Sequence, residues 1–204
     1  MKDVDVLMVG VGGQGVILAS DAMSEIGMNS GYDVKKTDSL GMAQRGGSVV
    51  SHVRWGKHVF SPMVKRGEAD FLIGFEQLEA ARWAQYLKPG GVVIVADVVV
   101  IPISIIGSKV TYPSWKDIEG ILNQYTDKIY LIPAPRIAQE VGNPRAINMV
   151  ILGFLSEFLE LEQGAWTENI RRKLPAKFLE SSLRAFSRGV EEAKAMRLAK
   201  GVVK

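Results

Sequence analysis

Apolar and polar residues follow a strand–helix–strand rhythm at the start of the chain. Residues 3–9 alternate and then become continuously apolar, which is typical of a strand that enters a buried sheet. A glycine-rich turn follows, then apolar residues at near-helical spacing from Val16 to Ile26, and then a second strand over 32–37. The pattern predicts a β-α-β unit.

Residues 48–132 continue this strand–helix rhythm, with one interruption. Residues 48–55 alternate strictly, and a Gly56-Lys57 turn leads to 58–60, which together predict a β-hairpin. Further buried strands are expected over 70–75, 92–96 and 128–132, with helices over 76–87 and 114–125. The predicted fold class is α/β, a Rossmann-like and mostly parallel sheet with an inserted β-hairpin.

The pattern becomes entirely helical after residue 142. Asn143 and Pro144 suit an N-cap and a first helical position, so a new helix is expected to start there. That helix is apolar on nearly every side as far as Leu161, and it should be buried in its own core or against a partner. We interpret residues 1–204 as a single domain, with an α/β body over 1–142 and a C-terminal helical extension over 143–204.

Composition narrows the classes of protein. The chain has 204 residues, 25 Lys+Arg, 22 Asp+Glu and no Cys, so it has no thiolates for a disulfide, a cysteine zinc site or an iron–sulfur cluster. The basic excess lies in the last forty or so residues, where an apolar helical stripe predicts packing rather than nucleic-acid binding. No stretch is apolar enough to span a membrane, and a cytoplasmic protein is expected.

The first candidate site is a G-x-G-x-x-G motif between the first strand and the first helix. Its glycines allow a tight turn, the close approach of a diphosphate and close helix–strand packing, while the helix N-terminus offers N–H groups to an anion. Asp38 is the better placed of two acids that could bind a ribose, the other being Asp33. A turn that only packs and binds no nucleotide explains the motif equally well. The predicted cofactor-binding residues are Gly10, Gly12, Gly13, Gln14, Gly15 and Asp38.

The second candidate is a glycine-rich loop after the second strand, where open α/β sheets place their ligands. Arg45, which two glycines follow, can present a planar fork to a carboxylate or a phosphate. The predicted substrate or partner loop consists of Gly41, Met42, Gln44, Arg45, Gly46, Gly47 and Ser48. We predict no metal site, because His52 and His58 lack ligand spacing, and we assign no catalytic residue.

Taken together, the motifs resemble a known family, the gamma-type unit of 2-oxoacid:ferredoxin oxidoreductases, and within it the indolepyruvate branch. The similarity covers most of the chain and is far more specific than any single motif. The segments that carry it are Gly10–Val16, Ser39–Arg54, Ser61-Pro62, Gly67–Asp70, Gly74–Ala80, Leu87–Gly91, Gly142–Arg145 and Pro175–Glu180.

The resemblance implies a subunit of a complex that oxidatively decarboxylates aryl pyruvates such as indolepyruvate to acyl-CoA and CO2 and passes electrons to ferredoxin. It places thiamine diphosphate, magnesium and iron–sulfur clusters on a larger partner subunit, with CoA as cosubstrate. The glycine turn and the segment from Gln44 to Ser48 would face the partner's active site or a phosphate-bearing substrate such as CoA. Arg45 is the side chain expected to matter most. Self-association of the chain is left open.

Two other functions fit the residues. A stand-alone nucleotide-dependent enzyme, either an S-adenosylmethionine methyltransferase or an NAD dehydrogenase, would use the same glycine motif. The sequence shows no unambiguous ribose-binding acid and no residue set for hydride chemistry, which disfavours this alternative. A purely structural interaction subunit would instead bury the apolar helix from Pro144 to Leu161 at a subunit interface and leave the glycine turn empty.

Overall fold

The computed structural model describes residues 3–41, 47–102, 105, 107 and 109–201. Its strands are β1 (Val4–Val11), β2 (Asp33–Leu40), β3 (Ser48–Gly56), β4 (Ala69–Gly74), β5 (Leu87–Ala96) and β6 (Ile129–Ile132). Its helices are α1 (Val16–Asn29), α2 (Gln77–Trp83), α3 (Trp115–Leu122), α4 (Ala134–Glu140), α5 (Ile147–Ser156), α6 (Gln163–Lys173) and α7 (Ala176–Ala199), with a 3-10 turn at Ala84–Tyr86.

The six strands form one mixed sheet in the order β2-β3-β1-β4-β5-β6. Strands β1, β4, β5 and β6 are parallel to one another, whereas β3 is antiparallel to both of its neighbours. The predicted α/β class with a mostly parallel sheet is therefore confirmed. Because β3 lies between β1 and β2, the first and second strands of the chain are not adjacent.

The antiparallel hairpin consists of β2 and β3, not of residues 48–55 and 58–60. Strand β2 pairs over its whole length with β3, from Asp33 opposite Gly56 to Leu40 opposite Val49. The other edge of β3 is filled by β1, so no edge is left for residues 58–60. That segment is instead held by a bond from Val59 N to Asp33 Oδ2 (2.8 Å), and Phe60 is 97% exposed.

Helices cover both faces of the sheet because successive side chains of each strand point to opposite faces. In β1, Val6 and Met8 join the apolar cluster beneath α1 and α4 to α7, while Leu7 and Val9 join the cluster beneath α2 and α3. The first cluster contains sheet residues together with residues of α5 and α7. The helical extension thus shares a core with the body; the division at residue 142 stays a prediction.

Helix α5 lies inside the chain, under α7. Every residue of α5 after Ile147 is buried. A Cβ added to Gly153 would lie 2.0 Å from the Phe186 carbonyl oxygen, and one added to Gly189 would lie 2.1 Å from the Val150 carbonyl oxygen. The two glycines therefore bring the backbones of α5 and α7 into direct contact, and the apolar helix is buried in the protein's own core.

The predicted start of this helix is wrong by several residues. Helix α5 begins at Ile147 with Ala146 at its N-cap. Asn143 Oδ1 instead accepts from Arg145 N at 3.2 Å, so the asparagine closes a local turn. None of the helices in the described ranges has both the length and the apolarity that a membrane crossing requires.

Candidate functional site

The two motifs singled out in the sequence meet at the carboxyl edge of the parallel strands. The glycine turn follows β1, and the loop between β2 and β3 ends beside it, because Gly12 N donates to Gly47 O at 2.9 Å. Gly41 N donates to Ser48 O at 2.8 Å and closes the hairpin. Two segments that are distant in the sequence thus form one surface at the edge where open α/β sheets bind ligands.

Gly10 and Gln14 stabilise the conformation of the turn itself. A Cβ on Gly10 would lie 2.8 Å from the Phe75 Cβ, so close packing excludes a side chain there. Gln14 Oε1 accepts from Val11 N at 2.7 Å, and Gln14 N donates to Val11 O at 3.2 Å. The side-chain oxygen of Gln14 therefore stabilises the turn itself, and the predicted contact of Gln14 with a cofactor stays a prediction.

Helix α1 begins at this turn without a side-chain cap. Gly15 is the N-cap residue, with φ +82°, and no side chain caps the helix by accepting from its first amides among the described residues. The first amides of a helix have no intrahelical acceptors, and the helix dipole adds partial positive charge there. The N-terminus of α1 thus presents donors that are suited to an anion.

Asn148 of α5 adds a side-chain donor at the same place. It is 5% exposed, and its Nδ2 lies 3.0 Å from the position that a Cβ of Gly15 would occupy. Its Oδ1 accepts from Met149 N at 3.0 Å, whereas Nδ2 has no acceptor among the described residues. Asn148 was not predicted as a site residue, although an asparagine in an otherwise apolar stretch of helix is a signal that could have indicated it.

Asp38 lies within β2 rather than after its end. Its two oxygens accept from Ser51 Oγ and Lys36 Nζ, both at 2.6 Å, and Lys36 also donates to Asp21 Oδ1 at 2.7 Å. Burial opposes the charge of Lys36, but the hydrogen bonds to Asp21 and Asp38 outweigh it and raise its pKa. Since β3 separates β2 from β1, the role of Asp38 in binding a ribose stays a prediction.

The loop is anchored to α2 by a buried carboxylate. Ser48 Oγ donates to Glu79 Oε2 and Arg82 donates to Glu79 Oε1, both at 2.6 Å, and Glu79 is 3% exposed. Of the predicted loop residues, Gly41, Gly47 and Ser48 are described, while Met42, Gln44, Arg45 and Gly46 lie outside the described residues. The hydrogen bond from Ser48 to Glu79 therefore fixes the end of the loop that leads into β3.

A second buried carboxylate, Glu76, fixes the neighbouring segment. Its Oε2 caps α2 by accepting from Glu79 N at 2.8 Å, and its Oε1 accepts from Val100 N at 3.1 Å and from the Tyr112 hydroxyl. Burial and the hydrogen bond to Glu76 raise the pKa of Tyr112. This network was missed as a site feature, because its partners come from segments far apart in the sequence.

No metal-binding geometry occurs in the part of the chain that the structure describes: no three of its His, Cys, Asp and Glu side chains converge on one point. His52 is buried in β3, and its Nδ1 accepts from Val64 N at 3.2 Å. The described edge therefore offers backbone amides, one asparagine amide and two buried carboxylates that hold their neighbours. Such an edge can bind an anion and present a loop.

The sheet, the glycine turn and the sequence together define the class of protein. The chain belongs to the pyruvate ferredoxin/flavodoxin oxidoreductase family, whose model matches residues 5–192.

One relative is the indolepyruvate oxidoreductase subunit IorB of Thermococcus kodakarensis. It is 35% identical over 199 residues, which are 96% of this chain and 98% of that protein. The resemblance drawn from the motifs is thereby confirmed.

Two solved structures share the fold. The 2-oxoglutarate:ferredoxin oxidoreductase of Magnetococcus marinus, solved with 2-oxoglutarate, coenzyme A and succinyl-CoA, matches with a TM-score of 0.72 and 22% identity. The match covers 96% of this chain but 32% of that one, so this chain spans about a third of that protein. The keto/oxoacid ferredoxin oxidoreductase gamma subunit of Geobacter sulfurreducens matches with a TM-score of 0.69 and 23% identity, over 94% of this chain and 99% of that subunit.

Proposed function

We propose that the chain is the subunit of a 2-oxoacid:ferredoxin oxidoreductase that carries no cofactor of its own, and that the oxoacid is indolepyruvate or a related aryl pyruvate. The observation that carries this proposal is the 35% identity, over nearly the full length of both chains, to an indolepyruvate oxidoreductase subunit. The assembled enzyme oxidatively decarboxylates the oxoacid to acyl-CoA and CO2 and reduces ferredoxin. Its place of action is the cytoplasm.

A larger partner subunit supplies the redox chemistry in this proposal. Iron–sulfur clusters need cysteine thiolates, and the sequence contains no cysteine. Thiamine diphosphate, magnesium and the clusters are therefore assigned to the partner, with CoA as cosubstrate and ferredoxin as acceptor. This chain contributes binding and positioning.

Within the assembly, the glycine turn and the loop from Gly41 to Ser48 are proposed to face the partner's active site and to bind a phosphate-bearing substrate such as CoA. The uncapped N-terminus of α1 and the unpaired Nδ2 of Asn148 suit a phosphate group. The Magnetococcus marinus enzyme, which shares the fold, was solved with coenzyme A. These observations support a phosphate site rather than an empty packing turn.

The partner is tested by co-expression with a larger, cysteine-rich candidate subunit. The purified complex should contain thiamine diphosphate and iron and should reduce ferredoxin only when an aryl pyruvate and CoA are both present. A chain that catalyses a reaction as an isolated monomer would refute the proposal.

The loop is tested in that complex by Arg45→Ala. A planar guanidinium that binds a carboxylate or phosphate contributes about 1.5–3 kcal/mol, so turnover should fall at least tenfold. The matched control is Arg66→Ala, which removes an exposed arginine outside the two motifs. Wild-type turnover in the Arg45→Ala complex would exclude the assigned role.

Thermal-shift binding to the isolated chain separates the remaining alternatives. A shift with CoA supports the phosphate site, and Asn148→Leu should reduce it. A clear shift with NAD or S-adenosylmethionine, and none with CoA, would favour a stand-alone nucleotide-dependent enzyme. The position of β3 between β1 and β2 already disfavours a stand-alone nucleotide-dependent enzyme.

A further inference from the structure

A cavity of about 250 Å³ opens at the edge of the sheet opposite the glycine turn. Strands β1, β4 and β5 contribute Val4, Phe71 and Val92 to its lining. The segment 158–161, which follows α5, lines another side. None of the described residues of the glycine turn or of the predicted loop lines this cavity.

Aromatic rings form a large part of the lining. Tyr32 and Trp55 pack with ring centroids 5.5 Å apart, and Phe71 and Phe158 meet edge to face at 6.2 Å. The guanidinium of Arg197 lies 4.9 Å from the centroid of the Phe158 ring, which helps to fix that ring. Walls of this kind favour a planar ring as occupant, because aromatic pairs gain energy beyond the area they bury.

The charged side chains around the cavity fall into two groups. Lys88 is paired with Asp70, which also accepts from Asp5 N at 2.8 Å, so these charges are mutually satisfied. Lys128, Asp3 and Glu160 are exposed and form no ion pair within 4.0 Å with any described residue. Lys128 Nζ donates to the Gly90 carbonyl at 3.0 Å, which leaves two of its three N–H groups.

A cation and two anions that form no close ion pair with a described residue thus border the same cavity. A ligand with a single charge would be attracted by one sign and repelled by the other, whereas a zwitterion matches both. The volume sets a further limit, since about 250 Å³ is below the roughly 300–1,000 Å³ of sites for drug-sized ligands. One ring system with a short polar tail fits this space.

We propose that this cavity binds an α-amino acid with an aromatic side chain, as a zwitterion. The ring packs against Tyr32 and Phe158, which are the partly exposed aromatic residues of the lining, the carboxylate accepts from Lys128, and the ammonium donates to Asp3 or Glu160. This site does not depend on the function proposed for the glycine turn.

The probe is L-phenylalanine, titrated into the full-length chain by isothermal calorimetry. One molecule should bind per chain with saturation. Three truncated probes test each element separately: 3-phenylpropanoate lacks the ammonium, phenethylamine lacks the carboxylate, and L-alanine lacks the ring. Each should bind about tenfold more weakly, because a hydrogen bond to a charged group or a buried ring contributes at least 1.4 kcal/mol.

Lys128→Met should weaken phenylalanine binding by about tenfold, and one of Asp3→Asn and Glu160→Gln should do the same; none should change the thermal unfolding midpoint, since all three side chains are exposed. Lys116→Met, which removes an exposed lysine of α3 outside the cavity, should bind like the wild type. Absence of saturable phenylalanine binding would overturn the proposal. So would equal binding of 3-phenylpropanoate, or wild-type affinity in Lys128→Met.

Discussion

The glycines of the β1–α1 turn and those of the α5–α7 contact differ in what a side chain would meet. At Gly153 and Gly189 an added Cβ would lie 2.0–2.1 Å from a backbone carbonyl oxygen of the other helix. At Gly13 nothing lies within 4 Å, but φ is +100°. The helix glycines are therefore required by packing, while the turn glycine is required by the backbone conformation.

This difference separates the stability of the protein from its function. A backbone clash between two buried helices cannot be relieved by rotating a side chain, so the helices must move apart. A strained turn at the surface costs energy only locally and leaves the core in place. Substitutions in the two regions should therefore differ in size and in what else they disturb.

The largest effect is expected for Gly189→Ala. Its Cβ would clash with the Val150 carbonyl oxygen at 2.1 Å, and separation of α5 from α7 would open the core. We expect a loss of about 3 kcal/mol or more in the free energy of unfolding, at or above the upper end of usual overpacking costs. Urea unfolding of the variant and of the wild type measures this loss.

The matched control is Gly120→Ala in α3, where nothing lies within 4 Å of the added Cβ. Because alanine favours an exposed helix over glycine, this variant should gain up to about 1 kcal/mol. Equal stability of the two alanine variants would show that the α5–α7 backbones are not in contact.

Much of the α/β pattern was predictable because it is local. The alternation of β1, the glycine motif and the helical spacing of α1 all lie within one stretch of chain, and the structure has them in that order. The pairing of β3 with both β1 and β2 was not predictable in this way, since it depends on which strand fills an edge far away in the sequence. The contacts of Gly153 and Gly189 were not predictable for the same reason, because each glycine contacts the backbone of a helix that is distant in the chain.

The candidate site shows the same limit. The two glycine-rich segments were found from their residue types, but their junction through Gly12 N and Gly47 O is a tertiary contact. Asn148 and Glu79 were not assigned to the site, because each reaches it from another element of the fold. Local patterns thus identified the backbone donors, and packing supplied the side chains around them.

A smaller effect is expected for Gly15→Ala at the turn. The backbone has φ +82°, which costs an L-residue roughly 1–2 kcal/mol, and the new Cβ would lie 3.0 Å from Asn148 Nδ2. We expect the free energy of unfolding to fall by about 2 kcal/mol and phosphate or CoA binding to weaken. Gly13→Ala has the same kind of backbone strain without a neighbour, so its loss should be about 1 kcal/mol. Equal losses in stability and affinity for the two variants would mean that Asn148 does not contact the turn.

The smallest effect is a dependence on pH, which should also separate the two regions. The buried polar side chains of α5 and α7 are Asn148, Ser156 and Ser182, none of which titrates. His52 of β3 is buried, and burial, together with the nearby Arg54, lowers its pKa although Asp38 opposes this.

Below the unfolded pKa of 6.5 the unfolded chain therefore takes up a proton at His52 that the folded chain does not. The stability that the folded chain gains from keeping His52 neutral is therefore fully present above pH 6.5 and is lost as the pH falls below that value. Urea unfolding at about pH 7.5 and about pH 5.5 measures how far the free energy of unfolding decreases between the two. This decrease should be smaller for His52→Gln than for the wild type, because glutamine does not titrate while its amide oxygen can still accept from Val64 N. His58→Gln, at an exposed position, should keep the wild-type decrease. At the lower pH, amide protection factors should fall first in β2 and β3 and last at the α5–α7 contact, and a uniform fall would remove the distinction between the two regions.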